Sequence, residues 1–281
     1  MESSQSNIDR NKAHYEQLYS ETRVDAVVQK VRNWRTFLDD AVQTDTSWHG
    51  MYHGDFEARL KGAKVLELGS GDGLNALIMA ALGAEVTAID ISSASAAILT
   101  EAAARLQIEN IFPMFGDLSE IDFEPNTFDF VVGKAFLHHL THEVESRYLQ
   151  RVAVWLKPDG EARFFEPAIN SQLLDTLRWI VPVPNRPSIL ARKAFAEWEA
   201  SDPHPERDNS SAHYIQAGKQ YFEQAEIEYI GSIERLNRLL PRGNFNRRYR
   251  RWAHRMEVRL PRSFRHSAAR SQLIVYIKPT L

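Results

Sequence analysis

Between Lys64 and Glu166, short runs rich in β-branched and aromatic residues alternate with longer stretches of alanine and leucine. Such alternation predicts a parallel sheet with helices on its faces, because parallel neighbours must be joined by crossover connections. Strands are expected near 64–69, 85–90, 110–115, 128–133 and 161–166, with helices over 73–82, 93–106 and 142–156. Ser92 or Ser93 supplies an N-cap for the second helix. Lys157-Pro158-Asp159-Gly160 reads as a turn, since proline and glycine both oppose a continuing helix. The core is therefore expected to be doubly wound α/β, and two more strands after it bring a mostly parallel sheet to seven.

The flanks carry other patterns. Over 8–60, Tyr15, Leu18, Tyr19, Val27, Val28, Val31, Trp34 and Phe37 recur at three- and four-residue intervals, so residues 1–60 are expected to form an N-terminal helical cover. The core then spans 61–166. Pro167, Pro182, Pro184, Pro187, Pro203 and Pro205 forbid one long helix over 167–216, which reads as an inserted lid on the acceptor side. Residues 217–281 complete the core, with a helix at 217–225, a strand at 226–236, an arginine-rich insertion at 237–270 and a last strand at 271–278. MESSQSN at the start is expected to be disordered.

A chain of 281 residues with 43% hydrophobic side chains can bury a full core. Without cysteine it has no disulfide, no thiolate metal ligand and no cysteine nucleophile. No run is apolar for the roughly 18 residues a membrane span needs, and no apolar signal core opens the chain, so a cytoplasmic location is expected. From Arg235 to Arg270, twelve arginines face the single Glu257, a local +11 in a chain whose total is −3. That concentration implies either an anionic partner or a solvated helical face paired with the protein's own acids.

The most informative run is Val65-Leu66-Glu67-Leu68-Gly69-Ser70-Gly71-Asp72-Gly73-Leu74-Asn75, a strand, a glycine loop and a helix start. Glycines there permit a tight turn and let the backbone approach a ligand. A dinucleotide fingerprint needs a third glycine where Leu74 stands, which disfavours a nicotinamide oxidoreductase. The second strand ends in Asp90, about 20 residues beyond the first glycine, where a carboxylate can accept both ribose hydroxyls.

Taken in order, VLELGSGDG, the acid closing AEVTAIDIS, the Gly116-Asp117 pair, FDFVVGKAFLHHL and the LKPDG turn resemble the successive motifs of class I S-adenosylmethionine-dependent methyltransferases, over about residues 60–166. The resemblance implies S-adenosyl-L-methionine as cofactor. Glu67, Gly69, Ser70 and Gly71 would frame its methionine part, Asp90 its ribose, and Ile91, Asp117 and Leu118 its adenine. Lys134 and Ala135 would end the fourth strand beside the sulfonium, with Tyr15 and Tyr19 closing over from the N-terminal helices.

Methyl transfer needs donor and acceptor held in line, and a base only where the acceptor must lose a proton. His138 and His139, just past the fourth strand, are candidates for that base, and Glu166 at the end of the fifth is a candidate for polar contact with the acceptor. His142 lies further out. The fourth strand exits as Gly133-Lys134-Ala135-Phe136, which departs from the Asn/Asp-Pro-Pro-aromatic signature of amide- and adenine-nitrogen methyltransferases. No metal is assigned, because the His and acid groups around His142 and His204 lack helical H-E-x-x-H spacing. The acceptor expected is a small molecule or a lipid- or sugar-linked one, anionic if Arg247, Arg248, Arg250 and Arg251 serve it, with peripheral membrane contact compatible. The alternatives are an RNA- or other nucleic-acid-directed methyltransferase, and a cofactor-binding protein without transfer.

Overall fold

The computed structural model describes residues 4–182, 186–201 and 204–281. Helix begins at Ser4, so the expected N-terminal disorder is corrected from there on, and residues 1–3 lie outside the described part. The prolines Pro184 and Pro203 of the expected lid lie outside it as well.

In chain order the helices before the sheet are α1 (Ser4–Ser20), α2 (Val24–Arg32), α3 (Trp34–Thr44), α4 (Thr46–Met51) and α5 (Phe56–Arg59). The core alternates β1 (Lys64–Leu68), α6 (Leu74–Ala81), β2 (Glu85–Asp90), α7 (Ser93–Leu106), β3 (Ile111–Phe115), β4 (Phe128–Lys134), α8 (His142–Trp155) and β5 (Leu156–Pro167). Helices α9 (Gln172–Ile180), α10 (Arg192–Ser201) and α11 (Ser211–Gly218) follow, then β6 (Phe222–Ile230), α12 (Asn244–Glu257), α13 (Arg262–Ala268) and β7 (Ser271–Pro279).

All seven strands join one sheet in the order β3-β2-β1-β4-β5-β7-β6, parallel except for β7, which runs antiparallel to both neighbours. The order reverses between β1 and β4. At such a switch point the loops diverge and leave a crevice at the carboxyl edge of the strands. Period-two alternation along each strand sends Val65, Val132 and Phe165 to the face under α2–α7, and Leu66, Val131 and Phe164 to the face under α8 and α11. Both faces are covered, which is why the core strands are apolar nearly throughout.

Three boundaries differ from expectation. Lys157–Gly160 is not a free turn: β5 runs through it, and the pairing jumps from Phe128↔Leu156 to Phe130↔Glu161, so the extra residues are absorbed as an irregularity of the strand. The helix expected at 217–225 ends at Gly218, and the strand occupies 222–230 instead of 226–236. Gly231, at φ +79°, turns the chain out of the sheet, and a 3-10 turn takes over at Glu234–Leu239.

Gly218 lies against the ring of Tyr276, whose hydroxyl donates to Tyr214 O at 2.7 Å. A Cβ there would stand 2.1 Å from the ring, so neither partner can yield cheaply. Gly218→Ala is expected to lose about 1–3 kcal/mol in chemical denaturation, the usual cost of overpacking. Unchanged stability would mean that this contact is looser than drawn.

Candidate functional site

A cavity of about 470 Å³ occupies the switch-point crevice. Its floor is the β1–α6 loop. Gly69, Gly71 and Gly73 have φ of +69°, +57° and +73°, so the chain folds back in a conformation that side-chain-bearing residues avoid. There is no room for one at any of the three: a Cβ on Gly69 would meet Phe136 at 2.7 Å, on Gly71 the Tyr19 hydroxyl at 2.8 Å and on Gly73 the Leu99 side chain at 2.7 Å.

Asp90, at the end of β2, ties that loop to the next crossover. Its carboxylate accepts from Gly71 N–H at 2.8 Å and from Ser92 N–H at 3.0 Å. Burial raises its pKa against the opposing pull of those two donors. Ser92, whose hydroxyl accepts from Ser95 N–H, caps α7 as expected.

Glu67, 1% exposed on β1, uses only half of its carboxylate: Oε1 accepts from Asn75 Nδ2 at 2.7 Å, and buried Oε2 has no hydrogen-bond partner. Burial pushes it up to about 7. The half-buried Lys134 ammonium, 4.1 Å from the Trp48 ring centre, lowers it in turn, while its own pKa is lowered by desolvation. On the far wall, Asp117 accepts from Tyr148 Oη at 2.8 Å and Ser119 N–H at 2.7 Å. Ile91 and Leu118 complete that side.

Helix α1 roofs the cavity with one face, Asn7, Asn11, Tyr15, Leu18 and Tyr19, and Thr22 joins them just past its end. Glu16 holds it there. Its carboxylate accepts from the Ser92 and Ser93 hydroxyls, both at 2.7 Å, and these bonds lower its pKa. Asn7 Nδ2 and Asn11 Oδ1 are buried without a hydrogen-bond partner, so the roof presents a donor and an acceptor for something else.

All eleven sequence-expected cofactor residues, from Tyr15 and Tyr19 through Lys134, line this one cavity. Of the three expected catalytic residues only His139 does, with the Tyr15 hydroxyl 3.2 Å from its Nε2. His138 stands behind it, the two rings 4.2 Å apart, and its Nδ1 is 2.6 Å from Glu166 Oε2. Glu166 requires a correction. It is fully buried and accepts from the N–H groups of Phe136, Leu137 and His138, so it clamps the β4 exit and does not face an acceptor. Burial pushes its pKa up to about 8. The exit itself is strained: Ala135 sits at φ +62°.

Sequence reasoning missed Asn7, Asn11, Asn75 and Tyr148. The first two share the helical spacing of Tyr15, but polar residues gave no reason to expect burial. It also missed that His204 stacks on His138 and His139, at 4.9 and 4.3 Å, because the cluster joins segments 65 residues apart and the search was for local spacing. Nitrogens of the three rings lie within 4.8 Å of one another.

The switch-point crevice thus has an acid at or just past the end of each of the first three strands, Glu67, Asp90 and Asp117. Residues 65–160 match the family described as methyltransferase domain. That match covers about a third of the chain, the stretch whose motifs resemble those of class I S-adenosylmethionine-dependent methyltransferases. Curated proteins give no match. Among solved structures, Haemonchus contortus phosphoethanolamine N-methyltransferase 2, bound to phosphomonomethylethanolamine and S-adenosylhomocysteine, superposes with a TM-score of 0.53 at 14% identity, over 92% of this chain and 61% of that one. This chain therefore spans about three fifths of that relative. Geranyl diphosphate C-methyltransferase of Streptomyces coelicolor A3(2), with Mg2+, geranyl diphosphate and S-adenosylhomocysteine, gives 0.52 at 12% identity over 81% and 85% of the two chains. The Haloferax volcanii methyltransferase solved with its activator Trm112 gives 0.55 at 17% over 90% and 97%. At these identities the likeness is one of fold. No helix among the described residues is long and apolar enough to cross a membrane.

Proposed function

We propose that this protein is an S-adenosylmethionine-dependent methyltransferase of a small-molecule or lipid-type acceptor, with His139 taking the acceptor's proton. The observation that carries the reading is the cavity with a buried, half-used Glu67 carboxylate at one end and His139 at the other. The residues fit the cofactor: Glu67 Oε2 suits its ammonium group, Asp90 its ribose, and the Asp117 wall with Ile91 and Leu118 its adenine. When bound it supplies a methyl group on a positively charged sulfur.

The chain's own residues then do three things. The α1 roof, with Tyr15 and Tyr19, excludes water, so the acceptor is the only nucleophile in line. His139 would accept the proton that an O–H or N–H acceptor gives up on being methylated. His138 and Glu166 are positioning residues, holding the 3-10 turn at Leu137–His139 that carries His139. Residues 167–216 serve as the acceptor-side lid.

The arginines of α12 do not support a nucleic-acid partner. Arg247 and Arg251 both pair with Asp40 at 2.7 Å, and Arg250 with Glu234 at 2.6 Å, so three of the four expected to meet an anion are spent within the protein. The paired-face alternative explains this segment.

Protein incubated with methyl-labelled S-adenosylmethionine and a cell extract should concentrate label in the lipid or small-molecule fraction. His139→Ala should cut turnover about 100-fold or more, as loss of a general base does, with S-adenosylhomocysteine affinity kept. Label in nucleic acid, or full turnover by the variant, would refute the reading.

A further inference from the structure

A second cavity, about 480 Å³, opens where β5 leaves the sheet and β7 enters it. Strands β4 and β5 are paired neighbours, Lys134 against Phe165, so the two cavities open on adjacent strand ends, roughly 5 Å apart between strands. None of the motif residues touches this one. Its walls come from α9, the Glu234–Leu239 turn and the end of α13, segments that no motif accounts for.

Two kinds of side chain meet there. Leu174, Leu177 and Val181 of α9 and its end line one side, and Leu236 and Leu239 another. Helix α9 buries none of its residues fully; Leu173 and Leu177 are 71% and 46% exposed, an unusual cost for an apolar helix face with nothing to cover. Against this apolar surface stand Arg178, Arg235, Arg238 and Arg270. Their compensation is incomplete. Arg178 lies 2.8 Å from Asp175, though out of line for a hydrogen bond, and Arg270 is 3.1 Å from Glu234, which Arg250 also uses. Arg235 has only a backbone carbonyl, Ala268 O at 3.0 Å. Arg238 has neither a hydrogen bond nor an ion pair among the described residues, and burial plus the repulsion of Arg270 and Arg186 lower its pKa to about 10. Four guanidiniums line the space against Asp175 and a Glu234 shared with Arg250, which leaves a positive surplus facing it.

We propose that this cavity binds an amphiphile with a phosphate or diphosphate head, the head against Arg235 and Arg238 and the hydrocarbon along Leu174, Leu177 and Leu239. Planar guanidiniums pair with phosphate oxygens two at a time, and a doubly charged head would offset much of that surplus. A purely polar anion would leave the leucines wet, and a neutral lipid would leave the arginines uncompensated. That the ligand is also the methyl acceptor rests on the function proposed above; that it binds does not.

Calorimetric titration of the whole protein with octyl phosphate tests it, with octanol and inorganic phosphate as the two half-ligands and S-adenosylhomocysteine titrated separately. Octyl phosphate is expected to bind at least about 10-fold tighter than either half, and the double variant R235Q/R238Q to weaken it about 10- to 100-fold, as loss of charge-assisted hydrogen bonds does. The variant's S-adenosylhomocysteine affinity and melting temperature should stay at wild-type values. Leu177→Ser, on an exposed helix face, should weaken octyl phosphate without altering inorganic phosphate. Sedimentation with phosphatidic acid vesicles, measured beside the soluble probe, assigns the head to a membrane lipid if vesicles alone retain the protein, and to a free molecule otherwise. Octyl phosphate no tighter than octanol or inorganic phosphate, or undiminished in a folded double variant, would overturn the proposal. Failure of S-adenosylhomocysteine to bind while octyl phosphate binds would instead refute the function and leave this site standing.

Discussion

Asp90→Ala should lower S-adenosylhomocysteine affinity about 100- to 1000-fold, a loss of roughly 3–4 kcal/mol. The carboxylate does two jobs. In the empty cavity it already accepts from Gly71 and Ser92 N–H, fixing the glycine loop against the start of α7. Removing it leaves two backbone donors uncompensated, each worth about 1–3 kcal/mol where water cannot reach, and takes away the acceptor for the ribose hydroxyls. Asp90→Asn separates the two. Its amide oxygen can still accept one N–H, so the loop should hold and the loss should be smaller, about 10-fold, for want of a charged acceptor. Asp90→Ala should therefore also lower the melting temperature by several degrees, and Asp90→Asn, which keeps one of the two bonds, by less. An Asp90→Ala protein that kept its affinity within about 3-fold would show that the ribose is held elsewhere, whatever the family pattern implies.

The lining of the first cavity was legible because its constraints are local. A strand, three glycines and a helix start fall within eleven residues, and each acid stands at a strand end that apolar periodicity already marks. The same locality made the strands and the mostly parallel sheet readable, though not the order of the strands or which of them runs antiparallel. What failed was everything decided by distant segments. Glu166 looked exposed at a strand end, but the turn carrying His138 folds back over it and three N–H groups close on its carboxylate. His204 met His138 and His139 across a long insertion. Arg247 and Arg251 looked available to a ligand until α3 brought Asp40 against them, while Arg178, 57 residues before Arg235, gave no hint that it shares a cavity with it. Charge counting along the chain locates surplus; only the fold says which surplus is already paired.

Glu67→Gln should make the cofactor-free protein more stable above neutral pH and, in the same protein, flatten the pH dependence of cofactor binding. Burial raises the folded-state pKa of Glu67 from an ordinary 4.5 to about 7. The folded state thus holds the proton more tightly than the unfolded chain. Stability from this group is complete below about 4.5 and is lost as pH rises through about 7, a total of about 3 kcal/mol. Glutamine keeps the Asn75 hydrogen bond within reach and has no proton to lose, so at pH 8 the variant should denature later than wild type by up to that amount. Binding runs the other way. A cofactor ammonium needs the carboxylate form, so wild-type affinity for S-adenosylhomocysteine should rise as pH passes through about 7, whereas the variant's should stay low and level across pH 6–8. A variant that gained stability but bound as tightly as wild type, with the same slope, would leave the buried Oε2 without a ligand to explain it and would move the ammonium to the orphaned amides of Asn7 and Asn11 in the α1 roof.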